Sequence, residues 1–373
     1  MKKLQRLSVW CSMLALTAFA PLGYAQILIG QTVGVTGAVA ATVKEANAGA
    51  MLHLNAVNAA GGVGGQQIKL ITLDDKFDTK LTLSNAKTLI EDQQVLALFM
   101  TRGTPNTEAL FPLLDQYGVP LIGPSTGSMV LHQPVKRRVF NVRATYQREA
   151  EKAVAHLSSI GITRIAVIHV DDSFGIDGLE GVQKGLAAAK LKPVAIVKFE
   201  RSKPDFSIIA PAIHKADPQA VFVIGSGTAV VEGIKATRTA GSTAQFVTFS
   251  NNASAGFIKL LGEHSKGVIV TQVFPSERAI AYPIIKDAQE LAKAQGIAEL
   301  SPAMVEGFAS AKVLVEALRR ASPNPTREKL QTALESLKKF NIGGLEVTFS
   351  ATDHTGLDFA DLSIIGTDGK FKR

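Results

Sequence analysis

The stretch NAAGGVGGQQIKLITLDD, residues 58–75, decides how the rest of the sequence is interpreted. It holds four glycines, Gly61, Gly62, Gly64 and Gly65, within five positions. A phosphate-binding loop leads from a strand into a helix, whose free N–H groups hold the phosphate. Here a helical pattern precedes the glycines and the strand pattern QIKLITL follows them. The sequence therefore predicts a corner with positive φ at a helix end, and no nucleotide site.

Helical and strand patterns alternate on both sides of this corner. The strand-like runs are short and apolar: 27–33, 67–73, 95–100, 119–123, 139–143, 164–170, 220–225, 245–250 and 267–273. Helical spacing of apolar residues separates them, with single helices predicted at 82–92 and 105–118. Such alternation is typical of parallel sheets covered by helices on both faces. A break after residue 143 and the length of the chain favour two α/β lobes.

The first 25 residues have the pattern of a secretory signal peptide. Lys2, Lys3 and Arg6 precede an apolar run, and GYA ends at Ala25. Cleavage after Ala25 removes Cys11, the one cysteine, so the exported chain has no thiol or disulfide chemistry. No later apolar run reaches the roughly 18 residues that a membrane span needs. We therefore expect an exported periplasmic protein.

Several chemical functions are disfavoured by the residue pattern. The net charge falls from +8 to +5 when the three signal cations leave, and the remaining basic residues are scattered, which disfavours nucleic-acid binding. The seven histidines show no metal-ligand spacing, and no nucleophile–base motif is present. The run DDKFD (74–78) spells a magnesium motif but leaves a strand, so we expect Asp78 to cap a helix. We expect no enzyme activity, metal or cofactor.

Polar loops follow the predicted strands, at the edge where open parallel sheets bind ligands. They are TRGTPNT, GPSTGS, DDSFG, GSGTA and SNNASAG. The residue types in any one of these loops are common in loops of all kinds. Five such loops, divided between two lobes, indicate the lining of a cleft.

The order of these pieces resembles the periplasmic solute-binding proteins of the leucine/isoleucine/valine-binding family, which capture ligands for ABC importers. The matching segments include VTGAVA, NAAGGVGGQQIKLITLDD, GVPLIGPSTG, RIAVIHVDDSFG and DLSIIGTDGKFKR. The resemblance covers nearly all of 26–373. It implies two doubly wound parallel-sheet lobes joined by three hinge crossings, near residues 144, 274 and 356. Lobe 1 would comprise 26–144 plus 275–355, and lobe 2 would comprise 145–274 plus 356–373.

The resemblance also implies ligand-contacting positions in each lobe. In lobe 1 they are Thr42, Gly103, Thr104, Ser125, Thr126 and Gly127, of which 125–127 would grip a ligand carboxylate. In lobe 2 they are Phe174, Ser226 and Ser250. Tyr146, just past the first crossing, could pair with Phe174 around a flat apolar ligand, although ordinary packing explains both rings equally well.

Two of these positions depart from the family pattern. An aromatic residue is replaced by Ser226, and the acidic residue that typically holds an α-ammonium is replaced by Ser250. Asp171, Asp172 or Glu306 could substitute for that carboxylate if they reach the cleft. The departure favours a small carboxylate ligand over a branched-chain amino acid, with the amino acid kept as the alternative.

The sequence thus predicts a monomeric exported solute-binding protein that delivers a small ligand to ABC permease and ATPase subunits. A periplasmic sensor subunit that signals instead of transporting is the first alternative. An exported hydrolase is the second, and it lacks a recognisable nucleophile–base pair.

Overall fold

The computed structural model describes residues 26–373, so the predicted signal peptide lies outside the described residues. The first sheet has five parallel strands in the order β2-β1-β3-β4-β5. Their bounds are β1 Gln26–Val33, β2 Gln67–Asp74, β3 Ala97–Phe99, β4 Leu121–Ile122 and β5 Val139–Phe140. The buried strands are rich in Val, Ile, Leu and Phe, as expected of a sheet covered on both faces.

Four helices connect these strands: α1 Ala40–Ala59, α2 Thr79–Lys87, α3 Thr104–Glu108 and α4 Phe111–Tyr117. A five-residue π-helical turn at Thr88–Asp92 extends α2. Together they cover the single helix predicted at 82–92. The helix predicted at 105–118 is instead two short helices. Pro112 lies at the start of α4, where its missing N–H and fixed φ favour a new helix over continuation of the old one.

The glycine-rich corner has the predicted conformation. Gly61, Gly62, Gly64 and Gly65 all have positive φ, and the N–H of Gly62 donates to the carbonyl of Val57 in the last turn of α1. A Cβ on Gly62 would lie 2.0 Å from a main-chain oxygen, so a glycine is required there. The loop turns the chain into β2 and opens no helix, as predicted.

The acidic run after β2 holds the local chain together. The Asp78 side chain accepts from the N–H groups of Lys80 and Leu81 and caps α2, as predicted. Asp75 is buried and accepts from Thr32 and Thr82. These carboxylates therefore have structural partners.

The second sheet has seven strands in the order β14-β13-β10-β9-β8-β6-β7. The five strands from β10 to β7 in this order are parallel, and β13 and β14 add antiparallel pairs at the other edge. The strands are β6 Ile165–Val170, β7 Ala195–Phe199, β8 Ala220–Ile224, β9 Gln245–Thr248, β10 Ile269–Gln272, β13 Asp361–Ile365 and β14 Phe371–Lys372. Helices α5 Tyr146–Ser159, α6 Ser173–Ala188, α7 Ile209–Lys215, α8 Thr228–Thr239 and α9 Ala255–Leu261 accompany it.

The chain then returns to the first sheet before ending in the second. Helices α10 Pro283–Ala294, α11 Pro302–Ala321 and α12 Arg327–Glu335, with the small hairpin β11 Phe340–Asn341 and β12 Glu346–Val347, follow β10. Their buried residues share one core with β1, β3 and α1. A second core contains the residues of α5–α9 and the seven-stranded sheet. We call these two units lobe 1 and lobe 2.

The chain passes between the lobes three times. At the first crossing, Ala144 packs in the lobe 1 core and Tyr146 in the lobe 2 core. At the second, Val270 packs in lobe 2 and Val273 in lobe 1. At the third, Leu357 packs in lobe 1 and Leu362 against the core of lobe 2. The two-lobe parallel-sheet fold class is confirmed. The hinge positions at which the lobes would rotate stay a prediction. In residues 26–373 no helix has both the length and the apolar content to cross a membrane.

Candidate ligand-binding cleft

The carboxyl ends of β3 and β4 form the lobe 1 wall of the cleft between the lobes. Arg102 and Ser125 follow these strands and pair through a parallel bridge. Their side chains meet as well, since Arg102 Nη1 donates to Ser125 Oγ at 3.2 Å. The sequence predicts Thr104 of this loop as a site residue but does not predict Arg102.

Two hydroxyl groups lie next to this pair. Thr104 Oγ1 and Thr126 Oγ1 are 2.7 Å apart, and both side chains are fully buried. Thr104 begins α3, and Thr126 lies in the loop after β4. Three of the predicted ligand-contacting residues, Thr104, Ser125 and Thr126, are therefore brought together with a guanidinium beside them.

Arg102 is 3% exposed, although it carries a permanent positive charge. Its second polar partner is the main-chain oxygen of Asn251 in lobe 2, to which Nη2 donates. Within residues 26–373 no carboxylate lies within salt-bridge distance of it. Burial lowers the pKa of Arg102, because desolvation disfavours the charged form. A buried cation without an ionic partner is costly, which makes this side chain a candidate for an anionic ligand.

A second buried arginine, Arg143, lies just before the first crossing. It forms an ion pair with Glu149 of α5 and donates from Nη2 to Ser250 Oγ at 2.7 Å. Its Nη1 lies 3.6 Å from Glu306 Oε1, and its guanidinium covers the ring of Tyr146 at 4.7 Å. Glu149 also accepts from the N–H of Ser250 and from the Thr271 hydroxyl. Burial raises the pKa of the Glu149 carboxyl, against the opposing effect of Arg143.

Ser250 is thus engaged by protein groups. The family resemblance implies that this position holds a ligand ammonium, and the structure places the guanidinium of Arg143 against its hydroxyl. Ser226, partly exposed, accepts from the amide of Asn251 at 3.0 Å. Its hydroxyl lies at the carboxyl end of β8 on the lobe 2 wall.

The aromatic residues of the cleft contact one another directly. The ring centroids of Tyr146 and Phe174 are 4.7 Å apart, and Tyr146 stacks on Phe249 at 5.4 Å. All three are at most 2% exposed. A ligand ring could lie between Tyr146 and Phe174 only if the two rings moved apart. In this conformation the two rings pack against each other, as the alternative interpretation expects. The sequence does not predict Phe249 as a site residue, because it lies in the apolar run 245–250, whose pattern indicates only a core strand.

Three other predicted positions have structural explanations. The Thr42 hydroxyl lies 3.0 Å from Ser254 Oγ of lobe 2, and so contributes to the contact between the lobes. Gly103 has positive φ, and a Cβ there would lie 2.6 Å from the Phe77 ring. A Cβ on Gly127 would lie 2.6 Å from the Ala144 oxygen, where the chain leaves lobe 1. Their ligand contacts stay a prediction.

The acidic residues proposed as substitutes differ in position. Asp171 is exposed and pairs with Lys198 at 2.7 Å. Asp172 caps α6 and pairs with Arg201, whose guanidinium covers the Phe77 ring of lobe 1. Glu306, on α11, is the substitute that reaches the cleft region, and it faces Arg143.

The two lobes are joined by further contacts across the cleft. Glu45 of α1 accepts from the N–H groups of Ala255 and Gly256 at 3.0 and 2.7 Å. Asp177 of α6 accepts from the N–H of Met129 at 3.1 Å. The structure is therefore a closed arrangement of the lobes.

In the described part of the chain, no group of three or more His, Cys, Asp or Glu is placed to hold a metal ion.

Comparison with known proteins agrees with this architecture. The sequence model of the family described as periplasmic binding protein matches residues 26–360. The chain belongs to this family. A substrate-binding periplasmic protein from Ralstonia solanacearum is 30% identical, with a TM-score of 0.86 over 93% of this chain and 99% of that one. A Leu/Ile/Val-binding protein homolog 3 from Brucella melitensis is 24% identical over 91% of each chain.

A solved extracellular ligand-binding receptor from Verminephrobacter eiseniae is also similar, at 26% identity and a TM-score of 0.85 over 94% of this chain and 100% of that one. A Leu/Ile/Val-binding protein from Escherichia coli is 22% identical over 73% of this chain and 74% of that one. The relatives of this chain are binding proteins of transport systems and not enzymes. The family predicted from the sequence is confirmed, and the exported hydrolase is disfavoured.

Proposed function

We propose that this protein captures a small carboxylate-bearing ligand between its lobes and delivers it to an ABC permease at the inner membrane. The observation that carries the proposal is the buried guanidinium of Arg102, which has no carboxylate partner in the described chain and lies beside the hydroxyl groups of Ser125, Thr104 and Thr126. A guanidinium and several hydroxyl donors are the groups that proteins use to bind a carboxylate.

The relatives support the same ligand class. Several are named Leu/Ile/Val-binding proteins, and the amino acids in those names carry an α-carboxylate. An amino acid and the corresponding acid without the amine both carry this carboxylate. Arg102 and the hydroxyl groups beside it could therefore bind either one. Because Arg102 also donates to Asn251 of lobe 2, ligand binding and lobe closure would stabilise each other.

A thermal-shift screen tests the proposal. The library should hold aliphatic and aromatic carboxylates, the corresponding amino acids, and the primary amides of the same acids. A ligand at about 100 times its dissociation constant adds roughly 2.7 kcal/mol to stability. We expect carboxylates to raise the melting temperature and their neutral amides to leave it unchanged. Equal shifts from amides and acids would contradict the proposal.

Transport is tested separately, once a ligand is found. Cells that make the protein should take up the labelled ligand, and cells that lack it should not. Unchanged uptake would favour the sensor alternative.

A further inference from the structure

The ionised groups buried near the cleft decide whether the ligand can also carry an ammonium. A buried ammonium needs a carboxylate or several free acceptors, because an uncompensated cation is costly to desolvate. The question is therefore which carboxylates of the cleft region have an unused oxygen, and what surrounds that oxygen.

Glu149 has no unused oxygen. One oxygen accepts from Arg143 Nη2 and from Ser250 Oγ at 3.0 Å, and the other accepts from the Ser250 N–H at 2.9 Å and from the Thr271 hydroxyl. Its side chain is 0% exposed. The negative charge of Glu149 is already matched by the guanidinium of Arg143.

Glu306 has one buried oxygen without a hydrogen-bond partner, and that oxygen faces Arg143 Nη1 at 3.6 Å. A ligand ammonium placed there would lie against a guanidinium, and like charges in a buried site repel strongly. The cavity that Glu306 and Ser250 line together is about 10 Å³. That is space for about one water molecule and not for part of a ligand.

The aspartates of lobe 2 are also in use. Asp172 accepts from two N–H groups at the start of α6 and pairs with Arg201. Asp177 accepts from Met129 N–H and from the Gln147 amide at 3.0 Å through Oδ1, while its Oδ2 is buried without a hydrogen-bond partner. In the described chain the cleft region thus holds two buried guanidinium groups. Glu149 and Asp172 use both of their oxygens for protein donors, the unpartnered oxygen of Glu306 faces Arg143, and Asp177 uses one oxygen to hold Met129 and Gln147.

We propose that Arg143 is a specificity-determining residue: its guanidinium, held by Glu149, Ser250 and Glu306, occupies the place of a ligand ammonium and excludes α-amino acids. The ligand is then a carboxylate without an α-amine. This inference rests on the proposed function, because it assumes that a ligand carboxylate binds in lobe 1. Excluding the wrong ligand by a like charge is a general route to specificity.

Matched ligand pairs test the inference by calorimetry. The pairs are leucine with 4-methylpentanoate and phenylalanine with 3-phenylpropanoate, which differ only by the ammonium. The quantity measured is the ratio of the two dissociation constants within each pair. In the wild-type protein we expect the acid without the amine to bind at least about 100-fold more tightly, a difference of about 2.7 kcal/mol.

The variant Arg143→Met removes the guanidinium and leaves Glu149 and Glu306 free to meet an ammonium. We expect the ratio to move at least tenfold towards the amino acid. Because a lone buried carboxylate can destabilise the fold, Arg143→Met/Glu149→Gln is measured too. It removes both charges of the pair and still frees Glu306, so the ratio moves in the same direction. The control is Arg148→Met, an exposed arginine of α5 that pairs with Asp358.

The failures are distinguishable. If the wild-type protein binds none of the four probes, the proposed function and the inference both fail. If it binds amino acids more tightly than the acids, the proposed function stands and the inference fails. If the acids bind preferentially but the ratio is equal in the wild type and in both Arg143 variants, the role of Arg143 is contradicted.

Discussion

Arg102 of lobe 1 donates a hydrogen bond to the main-chain oxygen of Asn251 in lobe 2, while its other terminal nitrogen holds Ser125 of its own lobe. One buried guanidinium therefore touches both walls of the cleft. A ligand anion bound to it would lie where the lobes meet, and this geometry links the charge of the ligand to the closure of the protein.

Closure is the first expected outcome. The lobes are connected by three chain crossings and meet through polar contacts such as those of Glu45 and Thr42, which water can replace when the lobes separate. Without ligand we expect open states to be populated. Small-angle scattering should show a smaller radius of gyration with a saturating ligand from the screen. An identical radius with and without that ligand would contradict hinge closure.

The hydroxyl pair of lobe 1 gives a second prediction. Thr126→Val keeps the shape of the side chain and removes the hydroxyl that contacts Thr104. If this hydroxyl donates to a carboxylate, its loss costs about 1.5–3 kcal/mol, or roughly 10- to 150-fold in affinity measured by calorimetry.

Thr107→Val is the matched control for that variant. Thr107 forms a similar buried hydroxyl pair with Thr101 at 3.0 Å, and it lies three residues after Thr104 in α3. It should lower stability without a comparable loss of ligand affinity. Equal loss in both variants would assign the effect to packing.

Because Asp177 is buried, we expect the free energy of unfolding to depend on pH. Burial raises the pKa of its carboxyl from 3.8 to about 6, so the folded protein binds this proton more tightly than the unfolded chain. The stabilisation is fully present below about pH 4 and is lost as the pH rises through 6. A shift of about two units corresponds to about 3 kcal/mol.

The measurement compares the free energy of unfolding of the wild type with that of Asp177→Asn between pH 4 and pH 7, by urea denaturation. The wild type should lose up to about 3 kcal/mol relative to the variant over this range. The buried histidines, whose lowered pKa acts in the opposite sense, are present in both proteins and cancel. A difference that stays flat with pH would show that Asp177 does not titrate as proposed.

The parts of the fold that depend on local chemistry could be predicted from the sequence. The glycines at 61–65 and the cap formed by Asp78 need only their neighbours in the chain, and the structure has both as predicted. The strand ends also follow from local patterns, and they placed Thr104, Ser125 and Thr126 at one edge. That these three side chains meet depends on the parallel order of β3 and β4.

The charged groups of the cleft could not be predicted in the same way. A single arginine such as Arg102 is usually solvated at a surface, and nothing next to it in the chain marks it as buried. Arg143 and Glu149 are six residues apart, but their partners Ser250 and Glu306 come from remote segments. The one available signal for Arg102 was its position after a strand, in a loop already chosen for binding an anion.

The central claim, that the charge of Arg102 binds the charge of the ligand, is tested most directly by a cycle of two proteins and two ligands. Calorimetry should compare the wild type and Arg102→Gln, each with the tightest-binding acid from the screen and with the primary amide of that acid. Arg327→Gln is the matched control, because Arg327 also donates to main-chain oxygens but lies away from the cleft.

We expect Arg102→Gln to weaken binding of the acid by at least about 100-fold, or 2.7 kcal/mol, and binding of the amide far less. Arg327→Gln should leave the preference for the acid unchanged. Equal losses for the acid and the amide in Arg102→Gln, or an undiminished preference for the acid, would contradict the account.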